Sequence, residues 1–494
     1  TNSYSSTIVA QNFLIQQTNI DDLGGASKLT SSSSRSKRVL LSYLGRINYS
    51  FEGKYFLTAS YRADGSSVFG VNNKWGKFPS AALAWRASEE EFIKDLGFIS
   101  NLKFRGTWGV TGNQAINAYQ TLASLRSGQN YAYDGGDGML IGLAISRLPN
   151  PGLKWESTEQ YDVGMDLGFF NNRLTFTADY YKKTTTDLLL NRSLPGYVGL
   201  TSIISNVGSM GNRGVELAVG GDPLVGKFKW HTGFNISFNR AKVISLGETP
   251  RLGFISGGEG YQVNDPFMWL IPGQPYGQMY GWIFEGLWKT SEAQEAARYG
   301  QLPGDPRYFD KNKDGRIDIN DTTVMGNAMP KYFFGWNNEI SFKNFELSFL
   351  FEGRVGNNIF NVQAIKLVRE SGTRVGTSEK LLNRWSPQNE SSTIPPVMLA
   401  SIRDSLTANL GPNTVIFPSV AANQNSQWVE DGSYVRLKNV TLTYNFSPDV
   451  LRKLRFNNMA VYVSGTNLLT FTKYSGYDPE VSSFTANDAS LGSD

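Results

Sequence analysis

The sequence predicts an all-β protein, a transmembrane antiparallel β-barrel with long external loops, and three observations carry that prediction. Apolar and polar residues alternate with period two along the whole chain. The alternating runs are roughly 9–13 residues long, whereas strands of soluble proteins cluster near five or six. The links between runs are sorted into short and long, as in barrels with tight turns at one rim and extended loops at the other.

Composition sets the frame. The 494 residues are 40% hydrophobic with a mean hydropathy of -0.30. No stretch approaches the roughly 18 consecutive apolar residues of a spanning helix, which excludes helical membrane proteins but not barrels. Aromatic residues reach 13%, and barrels concentrate such rings in interfacial girdles. With no cysteine there is no disulfide framework, thiolate metal site or cysteine nucleophile. The net charge of +4 is dispersed, and its densest basic run, RSKR at 35–38, reads as a solvated loop and not a nucleic-acid stripe.

Twelve strands are expected, at 39–51, 55–63, 77–87, 101–110, 158–170, 173–183, 212–221, 227–239, 331–342, 345–354, 433–446 and 456–466. In 227–239, Phe228, Trp230, Phe234, Ile236 and Phe238 share one face, and Lys229, His231, Asn235, Ser237 and Asn239 the other. In 331–354 the apolar set is Tyr332, Phe334, Trp336, Ile340 and Phe342, then Phe345, Leu347, Phe349 and Phe351. Short links fall at 52–54, 171–172, 222–226, 343–344 and 447–455, with a moderate one near 88–100. Long excursions fall at 64–76, 111–157, 184–211, 240–330 and 355–432. A soluble sandwich has no reason to sort its loops this way. Hydrocarbon penalises unpaired strand edges, so spanning sheets close, and the remaining strands are expected outside this chain. Both ends read as cuts: TNSYSS lacks an export signal, and the chain finishes in the polar FTANDASLGSD. Helices are expected within the excursions, opened by Ser291 and Gln294 at capping-box spacing, near Ile359–Arg369 and near Thr377–Trp385.

Several strings resemble the SusC/RagA-like TonB-dependent outer-membrane transporters. They include KYFLTASYRADGSSVFG (54–70), KWGKFPSAALAWRASEEEF (74–92), LKFRGTWGVTGNQ (102–114) and LPNPGLKWESTEQYDVGMDLGFFNNRLTFTADYY (148–181). GQPYGQMYGWIFEGLW (273–288), GDPRYFDKNKDGRIDINDTTVMGN (304–327), WVEDGSYVRLKNVTLTYNF (428–446) and GTNLLTFTKYSGYDPEV (465–481) follow in order. The resemblance implies a 22-stranded barrel in the Gram-negative outer membrane, plugged by an N-terminal domain and energised through TonB. It also implies a SusD-like surface lipoprotein as partner, with glycans or peptides as cargo. Against that family pattern the plug, the TonB-contacting segment, the early strands and the closing strand are absent here. Counting back from a penultimate last strand makes the first about the tenth, and its following link at Glu52-Gly53-Lys54 is short, as a periplasmic turn should be.

The sharpest local motif is DKNKDGRIDIND at 310–321. By calcium-loop logic Asp310, Asn312 and Asp314 supply oxygens, Gly315 permits the turn and Arg316 offers its carbonyl. Asp318 binds directly or through water, and Asp321 closes the shell as the shorter Asp in place of Glu. The motif fits a structural Ca2+ stiffening an external loop, with an acidic turn held by Asx hydrogen bonds as the alternative. His231, the only histidine, falls in phase with the polar, lumen-side face and has no evident catalytic partner. Trp75, Trp85, Trp108 and Trp155 lie near strand ends, where interface anchoring outweighs sugar stacking. No nucleophile elbow, phosphate loop or HExxH occurs, and the Gly-rich run at 253–263 lacks the context of a nucleotide site, so no enzyme is expected. Three function classes remain: an energy-coupled importer, a passive porin or export channel, and a secreted glycan-binding or hydrolytic protein.

Overall fold

Alternation becomes ladder geometry in the computed structural model, which describes residues 2–13, 26–127, 131–132, 139–140, 142–254, 267–369, 378–396 and 424–480. The Gly-rich run beyond Phe254 and the polar C-terminal stretch lie outside those residues. Two strands open the chain, β1 (Asn2–Phe13) and β2 (Ala26–Lys37), paired as a hairpin sheet of their own. The expected strands then follow as β3 (Leu40–Phe51), β4 (Tyr55–Ser66), β5 (Trp75–Arg86), β6 (Ile99–Asn113), β7 (Glu156–Phe169) and β8 (Leu174–Thr186). They continue as β9 (Ser209–Val225), β10 (Phe228–Ser245), β11 (Tyr332–Phe342), β12 (Phe345–Val355), β13 (Tyr434–Asn445) and β14 (Ala460–Thr472). All twelve join one sheet whose order is chain order from β3 to β14.

Left-handed backbone makes the tight turns. Glu52 (φ 50°) and Gly53 (φ 66°) connect β3 to β4, and Lys343 (φ 53°) begins the two-residue link of β11 and β12. Phe170, Asn171 and Asn172 all have positive φ. Asn and Gly tolerate that region, while Phe170 and Lys343 are held there by the ladders on either side. The link at 447–455 is more than a turn: Pro448–Leu454 is a helix, with Pro at its start and Arg455 in the left-handed conformation after it.

Contacts divide the chain into two compact units, and each is described on its own. In the first (residues 1–85, 105–162 and 183–209) β3, β4 and β5 are paired in unbroken antiparallel register. Its buried core is Val68, Phe69, Phe78, Ile116, Leu153 and Trp155, drawn mostly from the excursions. Trp155 is only 7% exposed, packs on Phe69 and Phe78, and donates its Nε1 to the Lys74 carbonyl at 2.8 Å. The interface-anchor expectation is therefore wrong for Trp155, because its ring closes the core beneath the excursion. Trp75 does stay half-exposed, stacked on Tyr43 at 5.8 Å.

In the second unit (residues 86–104, 163–182 and 210–494) β10 to β14 pair in succession. Aromatic contacts run across the apolar face: Phe228 to Phe342 at 6.3 Å, Phe234 to Phe334 at 5.9 Å, Trp336 to Phe351 at 5.9 Å and Phe345 to Tyr444 at 5.0 Å. Among the described residues no second layer covers these rings. Phe228, Trp336, Phe342 and Phe345 are 43%, 39%, 45% and 52% exposed although their strands are interior ones of the sheet. The deeply buried apolar residues lie instead in the excursions, as Phe267, Met268, Met279, Phe360, Val362, Ile365 and Trp428. A water-soluble sheet would hide its aromatic face, so this face is built for hydrocarbon.

Candidate functional site

The excursions carry the chemistry. In the first unit, the 111–157 excursion contributes a hairpin of Ser124–Ser127 with Leu143–Arg147, and the 184–211 excursion one of Leu189–Ser193 with Ser202–Asn206. Asparagines bind the two excursions together. Asn206 accepts from Lys154 N–H and donates to the carbonyls of Lys154 and Asp187, and Asn150 donates to the Ile204 carbonyl. Between them lies a cleft of about 420 Å³. Asn117, Gln120, Asn191, Ser124, Ser146 and Ser202 give it amides and hydroxyls. Arg147 also lines it, steadied by the carbonyls of Tyr119 and Leu122 at 2.9 and 3.1 Å. Such a lining offers hydrogen-bond donors and acceptors to a polar ligand.

In the second unit the 240–330 and 355–432 excursions fold together. Strand Asn358–Phe360 pairs with Val429–Asp431, and Phe267 stacks on Phe360 at 4.7 Å. Trp282 exchanges backbone bonds with Gln424 and Ser426. The expected helices are present with changes. Ala293–Arg298 is preceded by a 3-10 turn whose cap is Lys289 N–H on Glu292 Oε2, so the Ser291/Gln294 box is not the one used. Val362–Arg369 begins on Asn361, which accepts from Ala364 N–H, while Glu379–Asn383 is a 3-10 helix capped by Ser378.

A charged knot holds the chain after β14. Arg436, its side chain only 3% exposed on the polar face of β13, donates Nη2 to Asp478 at 2.5 Å, Nη1 to Glu480 at 2.7 Å and Nε to Thr470 at 3.0 Å. Lys438 binds Glu352 and Glu480, both at 2.9 Å. Next along the chain, Ser475 donates N–H and Oγ to Glu430, which also takes a bond from Asn361. Burial pushes the Asp478 carboxyl up, but the Glu480 N–H and the Arg436 guanidinium bring it below its usual range. Nothing in the sequence marked Arg436; only the register of β13 and the return of 473–480 bring these charges together.

The acidic loop is a set of turns. Asp310 accepts from the N–H groups of Lys313 and Gly315, Asn312 from Asp314, Asp314 from Arg316 and Asp318 from Asn320. Buried Asp321 accepts from Lys311 and Asp318, and the Asp318 carbonyl receives Trp282 Nε1 at 2.8 Å. Gly315 has the positive φ (79°) the motif requires. Among the described residues no three His, Cys, Asp or Glu side chains converge as a metal shell. His231 bonds Asp222 at 2.8 Å on the polar face.

Comparison with known proteins places this architecture. The family model of the TonB dependent receptor-like β-barrel matches residues 3–362. TonB-dependent receptor P3 of Formosa agariphila is 35% identical over 95% of this chain and 45% of its own length. TonB-dependent receptor SusC of Bacteroides thetaiotaomicron is 28% identical over 90% of this chain and 42% of its own. Among solved structures, the RagAB peptide transporter superposes with a TM-score of 0.76 at 24% identity, over 97% of this chain and 49% of that one. The chain thus spans about half the length of the relatives it matches. Bare aromatic strand faces, sorted links and the family match agree: this chain belongs to the TonB-dependent receptor β-barrels, as a SusC/RagA-like protein of the outer membrane.

Proposed function

We propose that this chain is part of the barrel subunit of an energy-coupled importer, which takes oligosaccharides or peptides across the outer membrane. TonB drives it through a part of the protein outside this chain, and a SusD-like surface lipoprotein captures cargo over the excursions. The observation that carries the reading is the division of chemistry: apolar rings bare on the strands, and an amide- and hydroxyl-lined cleft in the excursions. Affinity purification of the full-length protein from its host should bring down a surface lipoprotein. Uptake of labelled oligosaccharide or peptide should cease both on deletion of the gene and on loss of TonB. Uptake that survives loss of TonB would favour a passive channel instead.

We also propose that the 310–321 loop takes a structural calcium ion. Support comes from the spacing of Asp310, Asn312, Asp314, Asp318 and Asp321 and from the turn already set at Gly315. A carboxylate oxygen that accepts one N–H bond keeps a second lone pair for a cation, but the side chains must swing inward to use it. Millimolar calcium should protect 310–321 from hydrogen exchange in the wild type and not in D310N. Equal protection in both, or none in either, would leave the loop as an Asx-held turn.

A further inference from the structure

The apolar face of the sheet in the second unit is not uniform. A trough of about 610 Å³ crosses it beside the short link at 170–173 and the end of β9 at Asp222 and Pro223, within the size range of specific small-molecule clefts. Gly221 lines it, where the backbones of 173–174 and 221 pass so close that a Cβ would stand 2.3 Å from the Arg173 carbonyl oxygen. Thr232 and Val219 form the floor, and Leu174, Trp230, Phe234 and Trp336 form the walls.

Both wall indoles are fixed. Tryptophans of membrane proteins usually turn N–H toward headgroups and water, but here both turn into the sheet. Trp230 Nε1 donates to Asn338 Oδ1 at 3.0 Å and Trp336 Nε1 to Thr232 Oγ1 at 3.0 Å, while Thr232 Oγ1 donates to Asn338 Oδ1 at 2.9 Å. Asn338 is 1% exposed, and its Nδ2 is left without a partner, a cost of about 1–3 kcal/mol. A polar cluster under an apolar face, not fully satisfied, fixes the rings at some expense of stability. Walls held in advance lose little freedom on binding. At the rim, Arg173 is aimed by the carbonyls of Asp222 (3.2 Å) and Pro223 (3.1 Å) through Nη2, and its Nη1 has no partner among the described residues.

We propose that this trough is a specific site for a glycerophospholipid of the periplasmic leaflet, with an acyl chain between Trp230, Trp336 and Leu174 and the phosphate on Arg173. The bilayer covers this face of an outer-membrane barrel, and short links mark the periplasmic rim, where that leaflet lies. A fixed trough with a cation at its mouth matches an apolar chain ending in an anion. The inference rests on the fold and not on what is imported.

Native mass spectrometry of the full-length protein, released from detergent after delipidation, tests it. Wild type should retain one phospholipid. V219W, which fills the trough, should lose it, and R173Q should hold it roughly tenfold less well. L442W, an added ring on β13 away from the trough, should retain it, and thermal melts of all three variants confirm folding. Equal retention in folded V219W and wild type would overturn the proposal. So would disulfide-linked barrel pairs formed through L174C in native membranes, since a second copy would then occupy the face.

Discussion

Replacing Arg436 with Gln should release the chain after β14 while leaving most of the sheet intact. The guanidinium is 3% exposed and bonds two carboxylates and a hydroxyl, so its loss strands Asp478 and Glu480 beside each other and beside Glu352. Removing one partner of a fully buried ion pair costs about 3–5 kcal/mol. Here Asp478 and Glu480 are 36% and 29% exposed, so water recovers part of the loss and Lys438 still reaches Glu480. A cost of about 2–3 kcal/mol follows, or a fall in local protection of roughly 30- to 150-fold. Hydrogen exchange of the full-length protein reads it directly. Peptides covering 473–480 should exchange faster by that factor, and those covering 361–369 should follow in part, since Asn361, Glu430 and Ser475 bond one another. Exchange in β3 and β4 should stay as it was. Unchanged exchange at 473–480 would refute the knot, and equal acceleration in every strand would show that Arg436 supports the whole fold instead.

The same segment should loosen in acid. The Asp478 carboxyl titrates below its unfolded value near 3.9, so its stabilising contribution is complete above that pH and is lost as pH falls through the depressed native value. Exchange at 473–480 should therefore rise below about pH 4 and stay flat from neutrality upward. F360A should cost about 3–5 kcal/mol in the excursion core, because Phe360 is fully buried against Phe267. Limited proteolysis should then cut the 240–330 and 355–432 excursions while the strands resist. G70A places a Cβ 2.1 Å from the Pro151 carbonyl oxygen, so backbone must move. Overpacking of this kind costs about 1–3 kcal/mol, and exchange should accelerate around Val68, Phe69 and Leu153.

The strands of the sheet were legible because hydrocarbon on one side and water on the other leave a period-two record in every strand. The record fades where a strand leaves the membrane. β9 and β10 run on to Val225 and Ser245, past the alternating stretches at 212–221 and 227–239, since a ladder can continue in water without an apolar face. The β1–β2 hairpin leaves no such record: on one face Ser3, Ser5 and Thr7 stand opposite Ser36, Ser34 and Ser32, so hydroxyls replace the apolar residues over half its length. Trp155 was misread because position near a strand end does not reveal whether an excursion folds back over the ring. The oxygen spacing of 310–321 was plain, but the backbone N–H groups that take those oxygens depend on the folded path. Arg436, Asp478 and Glu480 meet only through the register of β13 and β14, which no local pattern states.

A spanning sheet obtains apolar surroundings from the bilayer, so it can leave Phe228, Trp336 and Phe345 bare and build no core of its own. The excursions stand in water and have no such help. Unstructured loops much longer than about 15 residues are rare, and the long ones here fold as soluble proteins do, around Phe267, Met279, Phe360 and Trp428 in one unit and Phe69, Leu153 and Trp155 in the other. Two solvents thus divide one chain. Residues in the excursions are then free to vary while the strands need only remain apolar outside. Contacts that tie the two regimes together, such as Arg436 reaching from β13 to Asp478, are the ones whose loss should be felt on both sides.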